Sequence, residues 1–198
     1  MLIEKPFSPS CEENKEVILN VIQPLFASKK TVLEIASGTG QHAVYFCEKM
    51  PFLQWQTSDL TECHSGIGAW IKDANLTNVM MPIPLNVSTD TWPSQSYDVI
   101  YSANSFHIMS QQNVDDFFKH VTKRLNPDGL ITLYGPFNYQ GNYTSESNQR
   151  FDQWLKSRNP DSCIKDFEWC QKLAQQAGLQ LLHDIEMPQN NRILCWKK

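Results

Sequence analysis

The sequence has little that would suit a nucleic acid, a membrane or a structural metal. Acidic residues outnumber basic ones by 21 to 17, for a net charge of −4, and the isoelectric point is near 5.7. A chain built to grip phosphate backbones normally shows a basic stripe, so nucleic acid is not an expected partner. No apolar run approaches the roughly 20 residues of a membrane-spanning helix, and the opening Met1-Leu-Ile-Glu-Lys-Pro lacks the apolar core of about 7 to 15 residues that marks a signal peptide. Six cysteines, at 11, 47, 63, 163, 170 and 195, contain no C-x-x-C and form no zinc quartet with histidine. They read as reduced, mostly buried thiols in a soluble cytoplasmic protein that binds no membrane and holds no metal. The 198 residues, at 41% hydrophobic content, suffice for one domain over 1–198 around a continuous core.

What is present is organised around Thr31-Val-Leu-Glu-Ile-Ala-Ser-Gly-Thr-Gly-Gln-His-Ala43. Thr31 to Ile35 is the short β-branched, apolar run that a parallel sheet buries on both faces, and Gly38 and Gly40 break it into a turn. Glycines there let the chain reverse and let a flat ligand approach the backbone with no Cβ between. A helix over 41–50 follows, and the unpaired amides of its first turn suit a polar or anionic ligand group. Gly38-x-Gly40-x-x-Ala43 also satisfies the dinucleotide pattern. Glu34 argues against that ligand. A carboxylate at the end of the first strand repels a pyrophosphate but can hold the ammonium end of a methionine moiety, which favours S-adenosylmethionine over NAD.

Glu34-Ile-Ala-Ser-Gly-Thr-Gly40 resembles motif I of class I S-adenosylmethionine-dependent methyltransferases, commonly E/D-x-G-x-G-x-G, with Ala36 replacing the first glycine. The segment Phe52 to Asp59 reads as a second strand ending in an acid, and Asp59 falls about 20 residues after Gly40, the spacing at which a carboxylate meets ribose hydroxyls. Val79 to Val87 reads as a third strand whose prolines mark an edge or an end. The methyltransferase resemblance places Asn86 and Val87 beside the adenine, although relatives mostly carry Asp at the first position. It also implies that the leading helix, capped at Ser8-Pro9-Ser10 and interrupted at Pro24, closes over the cofactor through Asn14.

Tyr97 to Ser102 is the fourth strand, and Ala103-Asn-Ser-Phe-His-Ile108 leaves its carboxyl end, where ligands bind in open α/β sheets. Asn104 is expected to orient the methionine part or a substrate hydroxyl. His107 is expected to take a proton, to position the acceptor, or to serve structure alone. Phe117 to Tyr134 resembles the "LHH…RVLKPGG" stretch of small-molecule methyltransferases, a helix leading through Pro-Asp-Gly to the fifth strand. The stretch 135–165 is a substrate-side insert with a helical piece near Asn148 to Lys156, whose Phe137, Tyr139 and Tyr143 either line a lid or lie on a surface excursion.

The tail supplies an independent sign. Leu179 to Met187 and Arg192 to Lys198 read as antiparallel partners joined by Pro188-Gln-Asn-Asn191. The class I resemblance then implies a Rossmann-like α/β fold with a seven-stranded, mostly parallel sheet in the order 3-2-1-4-5-7-6, strand seven antiparallel and helices on both faces. Closer still, Ser8-Pro, Glu13-Asn-Lys15, Gly38 to Ala43, Phe151-Asp, Arg158-Asn-Pro, Ile164-Lys-Asp166 and Met187-Pro-Gln-Asn-Asn-Arg192 are similar to the methyltransferase-like protein 26 family, long classed as a domain of unknown function. The expected activity is methyl transfer from S-adenosylmethionine to a small molecule. Alternatives are a non-catalytic S-adenosylmethionine binder, an NAD(P)-dependent reductase, and a nucleic-acid methyltransferase, the last disfavoured by the acidic balance and by Asn104-Ser-Phe-His107 where Asn/Asp-Pro-Pro-Tyr would stand. The acceptor, the methylated atom and the oligomeric state are not read from spacing.

Overall fold

A computed structural model describes residues 5–198; Met1 to Glu4, part of the segment judged to lack a signal core, lie outside the described residues. The chain forms α1 (Pro9–Phe26), β1 (Thr31–Ile35), α2 (Gln41–Lys49), β2 (Gln54–Asp59), α3 (His64–Ala74), β3 (Val79–Pro84), β4 (Tyr97–Ala103), α4 (Gln111–Val121), β5 (Leu125–Gly135), α5 (Glu146–Arg158), α6 (Phe167–Gln176), β6 (Gln180–Met187) and β7 (Asn191–Lys197). The seven strands make one sheet in the order β3-β2-β1-β4-β5-β7-β6. Strands β1 to β5 pair in parallel, and β7 runs antiparallel between β5 and β6. The expected topology is the observed one. No helix among the described residues is long and apolar enough to cross a membrane.

Alternation along the strands splits the core into two layers. Val32, Trp55, Val99 and Tyr101 face the side covered by α1, α2 and α3, where Ile18, Phe46 and Ile67 pack against them. Leu33, Ile35, Ile100 and Ile131 face the other side, filled by Phe117 and Phe118 of α4 and Cys170 of α6. Both faces are therefore buried, which is why β1 reads as continuous apolar sequence. The chain steps outward from β1 to β2 and β3, then crosses to β4 on the far side of β1. The carbonyl ends of β1 and β4 thus flank the point where strand order reverses, and a crevice opens there.

One sequence expectation changes here. Pro24 lies inside α1, which continues to Phe26. The proline removes one bond near the helix end, the carbonyl it frees belongs to exposed Asn20, and burial of Phe26 holds the last turn. Between β2 and α3, Thr61–Cys63 form a 3₁₀ turn that leads directly into the helix.

The first βα turn is fixed by glycine at two unequal positions. Gly38 (φ +61) has open space where a Cβ would stand, whereas at Gly40 (φ +89) a Cβ would lie 3.1 Å from the Ile67 Cα and 3.4 Å from its carbonyl oxygen. Helix α3 backbone cannot yield as a side chain would. Urea unfolding is expected to show Gly38→Ala costing about 1 kcal/mol from its left-handed backbone alone, and Gly40→Val costing clearly more, about 3 kcal/mol; equal losses would contradict close packing of the turn on α3.

Candidate functional site

Leaving β1, the chain holds Ala36 (φ 57), Gly38 and Gly40 in the left-handed region within five residues. The turn is pinned from within and from β2: the Gly40 amide donates to the Ser37 carbonyl at 2.9 Å, and the Ser37 amide to the Ser58 carbonyl at 2.9 Å. Asp59 completes it. One carboxylate oxygen accepts from the Gly38 amide at 2.7 Å and the other from the Leu60 amide at 2.7 Å. Asp59 thereby ties the two loops together, and each oxygen keeps a lone pair for a further donor.

Glu34 ends β1 on the floor of the crevice, 2% exposed. It accepts a hydrogen bond from the Trp55 indole nitrogen at 3.1 Å. Burial pushes its carboxyl up to about 7, which hydrogen bonds from Ser37 and Trp55 offset only in part, and the Asp59 charge adds to the rise. Trp55 in turn packs edge-on against Tyr101, ring centroids 5.6 Å apart. The result is a carboxyl poised to lose its proton when a cation arrives.

Helix α1 forms one wall. The Ser8 amide donates to the Gln41 side-chain oxygen at 2.6 Å and Gln41 returns a bond to the Ser8 carbonyl at 3.4 Å, clasping the start of α1 to the start of α2. Asn14 is held by the His42 ring at 2.7 Å. Burial lowers His42 to about 4, with Lys15 adding and the Cys11 carbonyl opposing, so the ring is neutral near pH 7.

These walls enclose a cavity of about 1090 Å³. That lies at the top of the ~300–1,000 Å³ range for single-ligand sites, leaving room for two molecules. Asn14, Glu34, Ala36, Gly38 and Asp59 line it, as do Asn86, Val87, Asn104 and His107. Gly40 does not; its role is the close contact with Ile67. The Asn86 side-chain oxygen accepts from the Ser88 amide at 3.0 Å, so the acceptor foreseen for adenine is already partly engaged in a turn. Asn104 takes φ 54, donating its amide to the Tyr134 carbonyl at 2.8 Å, which turns the loop after β4 across the end of β5. His107 rests edge-on against Phe151, centroids 5.1 Å apart. Burial, with the Lys165 charge behind it, lowers His107 to about 4.

The insert is ordered by Asp152, which accepts from the Ile164 amide and from the Tyr143 hydroxyl, each at 2.7 Å. The insert aromatics, open in the sequence to a lid or a surface excursion, do not line the cavity. Phe137 is buried in the α4–α6 core layer, Tyr139 stacks on Phe167 and bonds Asp184, and Tyr143 is spent on Asp152. Phe151 and Asn148 of α5 stand at the cavity instead, beside the turn Pro188 to Asn191. Sequence reading missed these and Leu60, whose side chain is 41% exposed directly after Asp59. An apolar residue directly after a ribose-spaced acid was the available signal.

Residues 5–198 match the model of the family described as Protein of unknown function (DUF938). Among solved structures, an O-methyltransferase family protein from Burkholderia thailandensis is similar with a TM-score of 0.85 at 16% identity, over 96% of this chain and 56% of that one. Human N-acetylserotonin methyltransferase, solved in complex with S-adenosylmethionine, gives 0.79 at 11% identity, over 96% and 52%. An O-methyltransferase family 2 protein from Planctomyces limnophilus, solved with apigenin, gives 0.76 at 14% identity, over 85% and 51%. The fold is the Rossmann-like fold of these methyltransferases, and the chain spans about half their length.

The elevated Glu34 carboxyl has a direct consequence for stability. With a carboxyl value of 4.5 when unfolded and about 7 when folded, the folded chain holds the extra proton between them. Its contribution is complete below the lower value and is lost as pH rises through the upper one. Denaturant unfolding of the native chain and Glu34→Gln is expected to diverge by about 3 kcal/mol between roughly pH 4 and pH 8, the native chain losing ground as pH rises; a pH-independent difference would contradict burial of an elevated carboxyl.

Proposed function

The chain belongs to the DUF938 family, and from that premise we propose that it transfers a methyl group from S-adenosylmethionine to a small-molecule acceptor, acting as a single domain with 135–165 as the acceptor-side wall. Within the DUF938 family, the motifs at Ser8, Glu13 to Lys15 and Met187 to Arg192 support placing it with the methyltransferase-like protein 26 group. The observation that carries the reading is the pair of acids, Glu34 and Asp59, opening on one cavity at adjacent strand ends with a glycine turn between them.

The residues fit the cofactor. Glu34, buried with no cation beside it among the described residues, matches the ammonium of the methionine tail; the free lone pairs of Asp59 match ribose hydroxyls; Gly38 offers backbone with nothing over it among those residues. Val87 and Leu60 supply apolar surface for an adenine, and Asn86 the polar edge. When bound, S-adenosylmethionine supplies a methyl already activated on a sulfonium cation. The protein then needs mainly to align the acceptor and exclude water, which is worth about 7–11 kcal/mol. Asn104 and Asn14 line the cavity with amides, and His107, kept neutral by burial, positions an acceptor hydroxyl by accepting its hydrogen bond.

Calorimetry is expected to show micromolar binding of S-adenosylmethionine, weakened about 10- to 100-fold by Asp59→Ala through loss of charge-assisted hydrogen bonds. Repeating the titration near pH 7 in buffers of different ionisation enthalpy should reveal release of about half a proton as the ammonium draws down Glu34, and none in Glu34→Gln. Undetectable binding, or binding with no linked proton, would count against the assignment.

A further inference from the structure

Beyond the adenosyl contacts, the cavity is furnished with amides and apolar side chains but no cation. Its lining includes Glu13, Glu34 and Asp59, and no lysine or arginine among the described residues. The cation behind the wall, Lys165, is itself 2% exposed and gives its ammonium to the Met109 and Cys163 carbonyls at 2.7 and 3.0 Å. An anionic acceptor would meet acids and no counter-charge.

The same half offers two positive recognition features. Asn148 is 5% exposed, and its amide nitrogen donates to the Thr144 hydroxyl at 2.9 Å and to the Asn190 carbonyl at 3.2 Å. The contact with a carbonyl fixes which atom is nitrogen. The side-chain oxygen, with no donor among the described residues, is then left for the cavity that Asn148 lines. Once a ligand covers it, an acceptor of this kind discriminates strongly, since a ligand unable to donate leaves it unpaired. Beside it, the Phe151 ring is braced by Trp154 (5.8 Å, 16° between planes), and Ile108 stands 52% exposed at the cavity mouth.

We propose, resting on the methyl-transfer reading, that this site selects an uncharged acceptor with a flat apolar body against Phe151 and a hydrogen-bond donor read by the Asn148 side-chain oxygen, and that it rejects carboxylated and phosphorylated molecules. Asn148 is the specificity-determining residue and Phe151 the platform.

The test uses the full chain loaded with S-adenosylhomocysteine and three ring-matched probes: 4-hydroxybenzamide, 4-hydroxybenzoate and phenyl phosphate, titrated by calorimetry. The amide is expected to bind at least about tenfold tighter than either anion. Asn148→Leu should weaken the amide about tenfold, leaving the anions still poorly bound, while the S-adenosylhomocysteine titration on the same sample holds. Because Asn148 also braces the Asn190 turn, Ile108→Arg provides a second variant at an exposed position, where an added cation should raise affinity for 4-hydroxybenzoate. Anions binding as tightly as the amide, or none of the probes binding the loaded protein, would overturn the proposal. Failure to bind S-adenosylhomocysteine would overturn the methyl-transfer reading itself, a separate result.

Discussion

A carboxyl group buried with no cation beside it among the described residues sets the terms for the rest of the site. Glu34 sits near the end of a strand flanked on both sides by parallel neighbours and is only 2% exposed where it meets the cavity. An ionised carboxylate in such a place is costly, and the group responds by holding its proton near neutrality. Trp55 and Ser37 lessen the cost without removing it. A ligand cation would remove it, which turns a local instability into binding free energy. Asp59, only one strand away, lies in a different setting: its oxygens are engaged by backbone amides of two loops, so it serves as a rigid acceptor. Two acids of similar sequence prominence therefore have distinct chemical characters.

The remaining walls follow from topology. Because β4 lies on the opposite side of β1 from β2, the loop carrying Asn104 and His107 rises across the crevice from the glycine turn. Antiparallel insertion of β7 brings the turn Pro188 to Asn191 to the same end of the sheet, and α1, clasped to α2 through Gln41, closes the near side. The cavity thus passes from an acidic, backbone-rich half into an amide-rich, apolar half. Methyl transfer needs such a boundary, since one side must hold a sulfonium ligand and the other must present a nucleophile in line with it.

Much of this was legible in the sequence. Strand β1, the turn glycines and the acid at position 59 are set by local chemistry, which periodicity and spacing report well. The antiparallel tail was visible because two apolar runs flank a short polar turn. What failed was decided by tertiary contact. Pro24 looked like a helix end, yet the burial of Phe26 carries α1 past it. Tyr139 and Tyr143 were open to a lid, but Asp184 and Asp152, distant or inconspicuous in sequence, claim their hydroxyls. Asn148 gave no signal at all, because its importance arises from which of its two side-chain atoms is already occupied.

The most direct measurement is a pH titration of the Glu34 side-chain carboxyl by carbon NMR, with and without S-adenosylmethionine. The free protein should show this carboxyl titrating near 7, and the cofactor should move it into the ordinary carboxylate range or below. A Glu34 already ionised at acidic pH in the free chain, or one whose titration is unmoved by the cofactor, would contradict the account.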